Sequence, residues 1–326
     1  MNHPTRRRVT HALLASLLAL GGALPALAQP DTPAKILVGF PAGGSFDAIA
    51  RIVADKMKTE LGRPVLVENK PGAGGRLVVD ILKNSPADGS VVMLGPDALT
   101  ALYPFTFKKL SYDPAKDLVP VGTVAEFPFA MAAGADPKVN TLAEYVAWAK
   151  KNPTKANYGI PAVGAPHHFF GMVLGDAIGV KMEYVPFQGS APIAAALMGG
   201  HVSSAIDVMS SLVENHKGGK IRVLAVSSEQ RAPQLPDVPT FAEAGYPTIT
   251  GMGFNALYAP PNTPAAAVAA WNKGLAKVMA QPDVKDKLIA MGFLPVGKPV
   301  EELVARNAAA AKRWEPVIKA SGFTAD

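Results

Sequence analysis

The sequence predicts an α/β protein of two lobes. Three observations carry that reading. From residue 35 onward, short apolar runs alternate with amphipathic helical segments, the order that a parallel sheet with covering helices requires. The alternation pauses around Phe127-Pro128 and then resumes, while everything after Pro264 reads as helix. The length of 326 residues, 49% of them hydrophobic, suits two cores of ordinary size and excludes a mostly disordered chain.

Residues 1–28 read as an export signal. Arg6, Arg7 and Arg8 form a basic start, Ala12 to Ala23 an apolar stretch, and Ala26-Leu27-Ala28 a small-x-small cleavage site. The apolar stretch falls short of the roughly 20 residues of a spanning helix, and Pro25 interrupts its end. Cleavage after Ala28 and a periplasmic mature protein are expected. The arginine run leaves both the general and the twin-arginine export routes open.

In the mature chain Lys35–Phe40 reads as a buried strand that ends in the loop Pro41-Ala42-Gly43-Gly44-Ser45. Phe46, Ile49, Ala50, Val53, Met57 and Leu61 then recur at helical spacing, with Asp47 in the first turn and Gly62 as the stop. Val65–Glu68, a second Gly-rich loop, a helix over 76–83 and Val91–Leu94 complete a β-α-β-α-β unit. Val119–Val124 and Phe129–Ala133 read as separate strands on either side of a crossing at Phe127-Pro128. Capping-box patterns stand at Thr141-Leu142-Ala143-Glu144 and at Thr240-Phe241-Ala242-Glu243. Strands are expected at 157–160, 182–186, 202–208 and 221–226, with helices near 166–178, 191–198 and 210–217. Asn255–Ala259 reads as the returning strand, followed by helices over 265–280, 284–291 and 300–320. The first lobe is therefore residues 29–127 and 252–326, and the second is residues 128–251.

Composition narrows the chemistry. The formal net charge of +6 owes half to Arg6–Arg8, and no basic tract remains beyond them, so nucleic acid is not an expected partner. Cys is absent, which removes disulfides and thiolate sites. The six His lack metal-ligand spacing, the Gly loops lack the Lys of a phosphate loop, and Leu77 breaks the dinucleotide pattern. Neither a metal, a cofactor nor a catalytic residue is expected. A hydrolase reading would recruit Ser45 or Ser190 with His167 and Asp207, but no G-x-S-x-G elbow surrounds either serine.

One echo points to a site. Gly39-Phe40-Pro41-Ala42-Gly43-Gly44 and Gly159-Ile160-Pro161-Ala162-Val163-Gly164 share the pattern Gly-apolar-Pro-Ala-x-Gly, each between an expected strand and helix. That place is the carboxyl edge of a parallel sheet, where ligands bind. Exposed N–H groups and a helix N-terminus there form an anion site without Lys or Arg. Adjacent His167 and His168 point in different directions on a helix, so one lines the cleft while the other packs or meets solvent. Asp207 ends an apolar strand and is either a cleft residue or a cap.

These segments resemble the Bug family of extracytoplasmic solute-binding proteins, the receptors of tripartite tricarboxylate transporters. The motifs that carry the resemblance are Phe40–Arg51 (FPAGGSFDAIAR), Glu68–Gly75 (ENKPGAGG), Val185–Pro192 (VPFQGSAP) and Leu235–Thr240 (LPDVPT), in order along the mature chain. The resemblance implies a two-lobed periplasmic-binding-protein fold of the Venus flytrap type and a monomer. It implies a small carboxylate in the interlobe cleft and delivery to the permease subunits of a tripartite transporter. A sensor protein that presents its ligand to a membrane receptor kinase is the second reading. The ligand-binding residues so assigned are Phe40, Pro41, Ala42, Gly43, Gly44, Ser45 and Asp47 in the first lobe. In the second they are Gly164, Ala165, Pro166, His167, His168 and Asp207. Two departures stand out: Ala165 replaces the usual hydroxyl residue, and Gly95-Pro96-Asp97-Ala98 replaces a Gly-Thr run. With one hydroxyl fewer, a mono- or dicarboxylate of modest size is expected to outrank citrate. The export reading predicts that periplasmic protein starts at Gln29 by intact-mass measurement; a start well away from that residue would contradict it.

Overall fold

The computed structural model describes residues 32–326. The expected export signal and its cleavage after Ala28 lie outside the described residues. From Pro33 to Asp326 the chain forms one compact unit. No described helix is long and apolar enough to cross a membrane.

The strands are β1 (Ala34–Val38), β2 (Val65–Asn69), β3 (Val91–Pro96), β4 (Val119–Ala133), β5 (Asn157–Ile160), β6 (Glu183–Pro186), β7 (Ser204–Val208), β8 (Arg222–Val226), β9 (Met252–Ala259) and β10 (Leu294–Pro295). The helices that matter to the site are α1 (Ser45–Leu61), α2 (Arg76–Lys83), α3 (Ala98–Ala101), α4 (Tyr103–Thr106), α5 (Pro114–Asp117), α6 (Leu142–Lys151), α7 (Pro166–Ile178), α8 (Ser190–Met198) and α9 (Ser210–Lys217). The C-terminal helices are α10 (Ala265–Ala280), α11 (Pro282–Ala290) and α12 (Val300–Ser321). The sheet runs β2-β1-β3-β9-β4-β7-β5-β6, with β10 and β8 also paired to β4. In the first lobe β1 is parallel to β2 and β3, and in the second β5 is parallel to β6 and β7. Antiparallel pairing enters where β4 and β9 cross.

The two strands expected on either side of Phe127-Pro128 are one strand of 15 residues. A proline inside a strand argues for a break because it cannot donate to the ladder. Here the break is one of partner, not of strand. Val119 to Pro128 pairs with β9, and Phe129 to Ala133 pairs with β7 and β8. The missing N–H falls at the change of partner, while the Pro128 carbonyl accepts from Met209 N–H at 2.9 Å. Pro120 sits beside a register shift in the same ladder, where a donor is also dispensable. The second capping box forms as well, with Glu243 N–H to Thr240 Oγ1 at 3.1 Å and Thr240 N–H to Glu243 Oε2 at 2.8 Å, but it caps only turns.

The main core spans the sheet and includes Ile36, Ile49, Met57, Phe127, Phe169, Trp271 and Leu275, and a smaller one gathers Ile193, Leu197, Leu212, Val223 and Leu235. A close approach sets α7 on β5. A Cβ on Gly171 would lie 2.1 Å from the Tyr158 ring, and Tyr158 Oη donates to the His168 carbonyl at 2.9 Å. The ring thereby fixes the height at which α7 begins.

The crossing is tied by Ser227, which is wholly buried. Its Oγ accepts from Phe129 N–H at 2.9 Å and donates to the Gly251 carbonyl at 2.7 Å. One hydroxyl thus joins the outgoing and the returning strand. Ser227→Ala leaves both main-chain groups unpaired, and a loss of about 1–3 kcal/mol is expected. Denaturant unfolding checks it; a midpoint equal to that of the native protein would show that the tie contributes nothing.

Candidate functional site

The first loop is held by side chains from below. Gly43 adopts φ 81°, the left-handed turn that glycine tolerates, whereas Gly44 lies at φ −81° in the extended region. Gly43 N–H donates to Asp47 Oδ2 at 2.9 Å, and Arg51 Nε donates to the same oxygen at 2.9 Å. Burial works to raise the Asp47 pKa, but the hydrogen bonds from Arg51 and Gly43 outweigh it and hold the carboxyl below its ordinary range. Asn69 Nδ2 donates to the Phe40 carbonyl at 3.1 Å. Asp47 is therefore a lock on the loop and does not line the cavity it borders, and the Gly43 N–H is spent on that lock.

The second loop repeats the device with imidazoles. Gly164, at φ 76°, donates its N–H to His168 Nδ1 at 3.3 Å. His168 packs edge-on to Tyr184 and Phe323, with ring centroids 4.3 and 4.4 Å away. The ring of His167 turns the other way and lines the cavity. Its Nε2 lies 2.8 Å from the Ala162 carbonyl and 3.2 Å from the Ala162 N–H. Burial drives the His167 pKa down to about 3 and that of His168 down to about 4, so both rings are neutral.

A cavity of about 50 Å³ opens where the strands of both lobes end. Phe40, Pro41, Ala42, Gly44, Ser45 and Phe46 follow β1; Pro96, Asp97 and Ala98 close β3 and open α3. Pro161, Ala162, Ala165, Pro166 and His167 follow β5, Gly189, Ser190 and Ala191 follow β6, and Asp207 and Val208 end β7. Tyr103, Phe127 and Phe129 supply the remaining wall. The helices α1, α7 and α8 begin on this cavity, and no side chain caps any of the three. Their first N–H groups and the positive ends of their dipoles face one space. No Lys or Arg lines it.

The two lobes touch around it. A Cβ on Gly189 would come within 3.1 Å of Pro41, Ser211 Oγ donates to Ser45 Oγ at 3.5 Å, and Thr106 Oγ1 donates to the Gly164 carbonyl at 3.4 Å. Two buried acids face the cavity. Burial pushes both Asp97 and Asp207 up to about 7, against the pull of the Ala98 N–H on the first and of Ser190 and the Val208 N–H on the second.

The model of the tripartite tricarboxylate transporter family receptor matches residues 49–323. The chain belongs to this receptor family. Its Bug membership is seen in Protein BugT of Bordetella pertussis, 30% identical over 294 residues that cover 90% of each chain. Among solved structures, periplasmic binding protein BugD matches with a TM-score of 0.85 at 30% identity, covering 90% of this chain and 99% of that one. R. palustris Rpa4515 with adipate matches at 0.87 and 29% identity, covering 90% and 99%. MatC of Rhodopseudomonas palustris with bound malate matches at 0.83 and 29%, covering 89% and 99%. The chain is thus a periplasmic solute-binding receptor of two α/β lobes, and its family is one of receptors, not enzymes.

Of the residues expected from the receptor's sequence, Phe40, Pro41, Ala42, Gly44, Ser45, Ala165, Pro166, His167 and Asp207 line the cavity. Gly43, Asp47, Gly164 and His168 stand behind them as supports. Sequence reasoning missed Phe46, Tyr103, Phe127, Phe129, Asp97, and the start of α8. Asp97 and Ser190 obey the strand-end rule used for Asp207 and were within its reach. Tyr103 carried no such signal, because α4 is a single turn without apolar periodicity, and Phe46, Phe127 and Phe129 read as ordinary core positions of α1 and β4.

The elevated Asp207 pKa has a consequence for stability. Below the unfolded value near 3.8 both states are protonated and the group contributes nothing. As pH rises toward 7 the unfolded chain ionises freely while the folded one resists, so stability falls. Asp207→Asn is expected to raise the thermal midpoint at pH 8, by on the order of a few kcal/mol of stability, with the gap closing toward pH 4. A constant gap across that range would show that burial of this acid costs nothing.

Proposed function

We propose that the receptor captures a small carboxylate in this cavity and delivers it to the membrane subunits of a tripartite transporter. The observation that carries the reading is the convergence of three uncapped helix N-termini on one cavity without a basic side chain. Such N–H groups need an acceptor, and a carboxylate supplies two oxygens with four lone pairs. Adipate and malate in the two R. palustris structures support the ligand class, and the family supports the transporter. The donors left for the ligand are the N–H groups at Gly44, Ser45, Ala165 and the start of α8, since those of Gly43 and Gly164 are engaged. The small cavity and the methyl of Ala165 favour a compact acid over citrate.

The same reading assigns the division into residues 29–127 with 252–326 and residues 128–251 to two bodies that close about the crossing at Pro128 and Ser227. It places the mature start at Gln29 and the working form as a monomer. Gly44 faces the cavity with φ in the ordinary region, so Gly44→Val folds without strain there and fills the space a carboxylate needs. Calorimetry with a panel of small carboxylates is expected to show binding by the native protein and at least a hundredfold loss in Gly44→Val. Scattering with saturating ligand should show a smaller radius of gyration than without. Equal affinity in the two proteins would overturn the anchor.

A further inference from the structure

The cavity holds more than an anion site. Its walls carry acceptors that no group of the protein satisfies. Asp207 is wholly buried on β7; Oδ1 accepts from the Val208 N–H at 2.7 Å, and Oδ2 has no hydrogen-bond partner. His167 is 6% exposed, and its Nδ1 also lacks a partner. The shorter contact of Nε2, to the Ala162 carbonyl, makes Nε2 the protonated nitrogen and Nδ1 the one with a free lone pair. Asp97, 2% exposed at the end of β3, adds a second carboxylate from the other lobe. Among the described residues no Lys or Arg lies within ion-pair distance of Asp97 or Asp207.

An unpaired buried acceptor costs free energy, and two that line one cavity beside a second buried carboxylate ask for donors. A plain dicarboxylate brings none. An ammonium group brings three N–H donors and a positive charge. We infer that the ligand of this receptor is a small aminocarboxylate, whose carboxylate meets the helix N-termini and whose ammonium meets Asp207, Asp97 and His167 Nδ1. The inference rests on the carboxylate reading above and assigns the second pole of the same site.

Protonation offers an independent handle. The groups that face Asp97 are Arg313 of α12 and the hydroxyls of Tyr103 on α4 and Tyr258 on β9. Those that face Asp207 are Ser190 on α8 and the Val208 N–H. Burial holds both acids partly protonated near neutrality. A cationic ligand expels those protons, whereas a second carboxylate beside them draws protons in.

The test uses matched pairs on the full mature receptor: succinate against aspartate, glutarate against glutamate, and propionate against β-alanine. Calorimetry at pH 7 in two buffers of different ionisation enthalpy reads affinity and proton exchange together. The amino member of at least one pair is expected to bind tenfold or more tightly than its partner, with release of protons. In Asp97→Asn and in Asp207→Asn the preference within that pair should fall at least tenfold, and circular dichroism shows whether each variant is folded. Tighter binding of the plain acids, with proton uptake, overturns the aminocarboxylate assignment and leaves the carboxylate reading intact. Absence of binding by every member of both sets overturns the carboxylate reading and this inference with it. The pair comparison on the native protein decides the matter even if a variant fails to fold.

Discussion

The molecule depends on one change of partner in one strand. β4 is long enough to serve both lobes, and it trades β9 for β7 and β8 at Pro128, where a residue without an N–H loses no ladder bond. That exchange places the carboxyl ends of β1 and β3 opposite those of β5 and β7. Ser227 stitches the outgoing and returning strands at the same level. The cavity is the space between those strand ends, so its depth and its walls follow from where β4 changes sides.

The polarity of the site follows from the same geometry. A parallel strand followed by a helix points the helix N-terminus at the strand's carboxyl end. Two lobes built this way and set face to face direct the N-termini of α1, α7 and α8 into a single volume. The loops that make these turns are stiffened from behind, by Asp47 with Arg51 in one lobe and by His168 in the other. Each support takes one N–H out of service and holds the rest in place, a rigid arrangement of donors that needs no flexible cationic side chain.

Several unfavourable features gather at this site. Asp97 and Asp207 are buried without ion pairs, and His167 is buried with a nitrogen unsatisfied. Ser210 Oγ and Asn255 Nδ2 are unpaired as well, whereas the Tyr145 hydroxyl meets Ser203 and Ser204 at 3.1 and 2.9 Å. Concentrating unpaired groups at a ligand cavity is the usual exchange of stability for binding.

Sequence alone determined the order of strands and helices, the first Gly-rich loop and its echo after β5, because apolar periodicity and Gly-Pro punctuation are local properties of the chain. It also placed Asp207 at a strand end. It left open which of His167 and His168 faces the cavity, and it grouped Asp47 and Gly43 with the lining residues. Tertiary structure decided those points, since the direction of an imidazole depends on the Tyr158, Tyr184 and Phe323 rings it meets. The aromatic wall, too, is assembled from α4, β4 and α1, segments far apart in sequence. Asp97 shows the boundary most clearly: its position after β3 was readable from the chain, but its sharing one cavity with Asp207 required both lobes to be folded against each other.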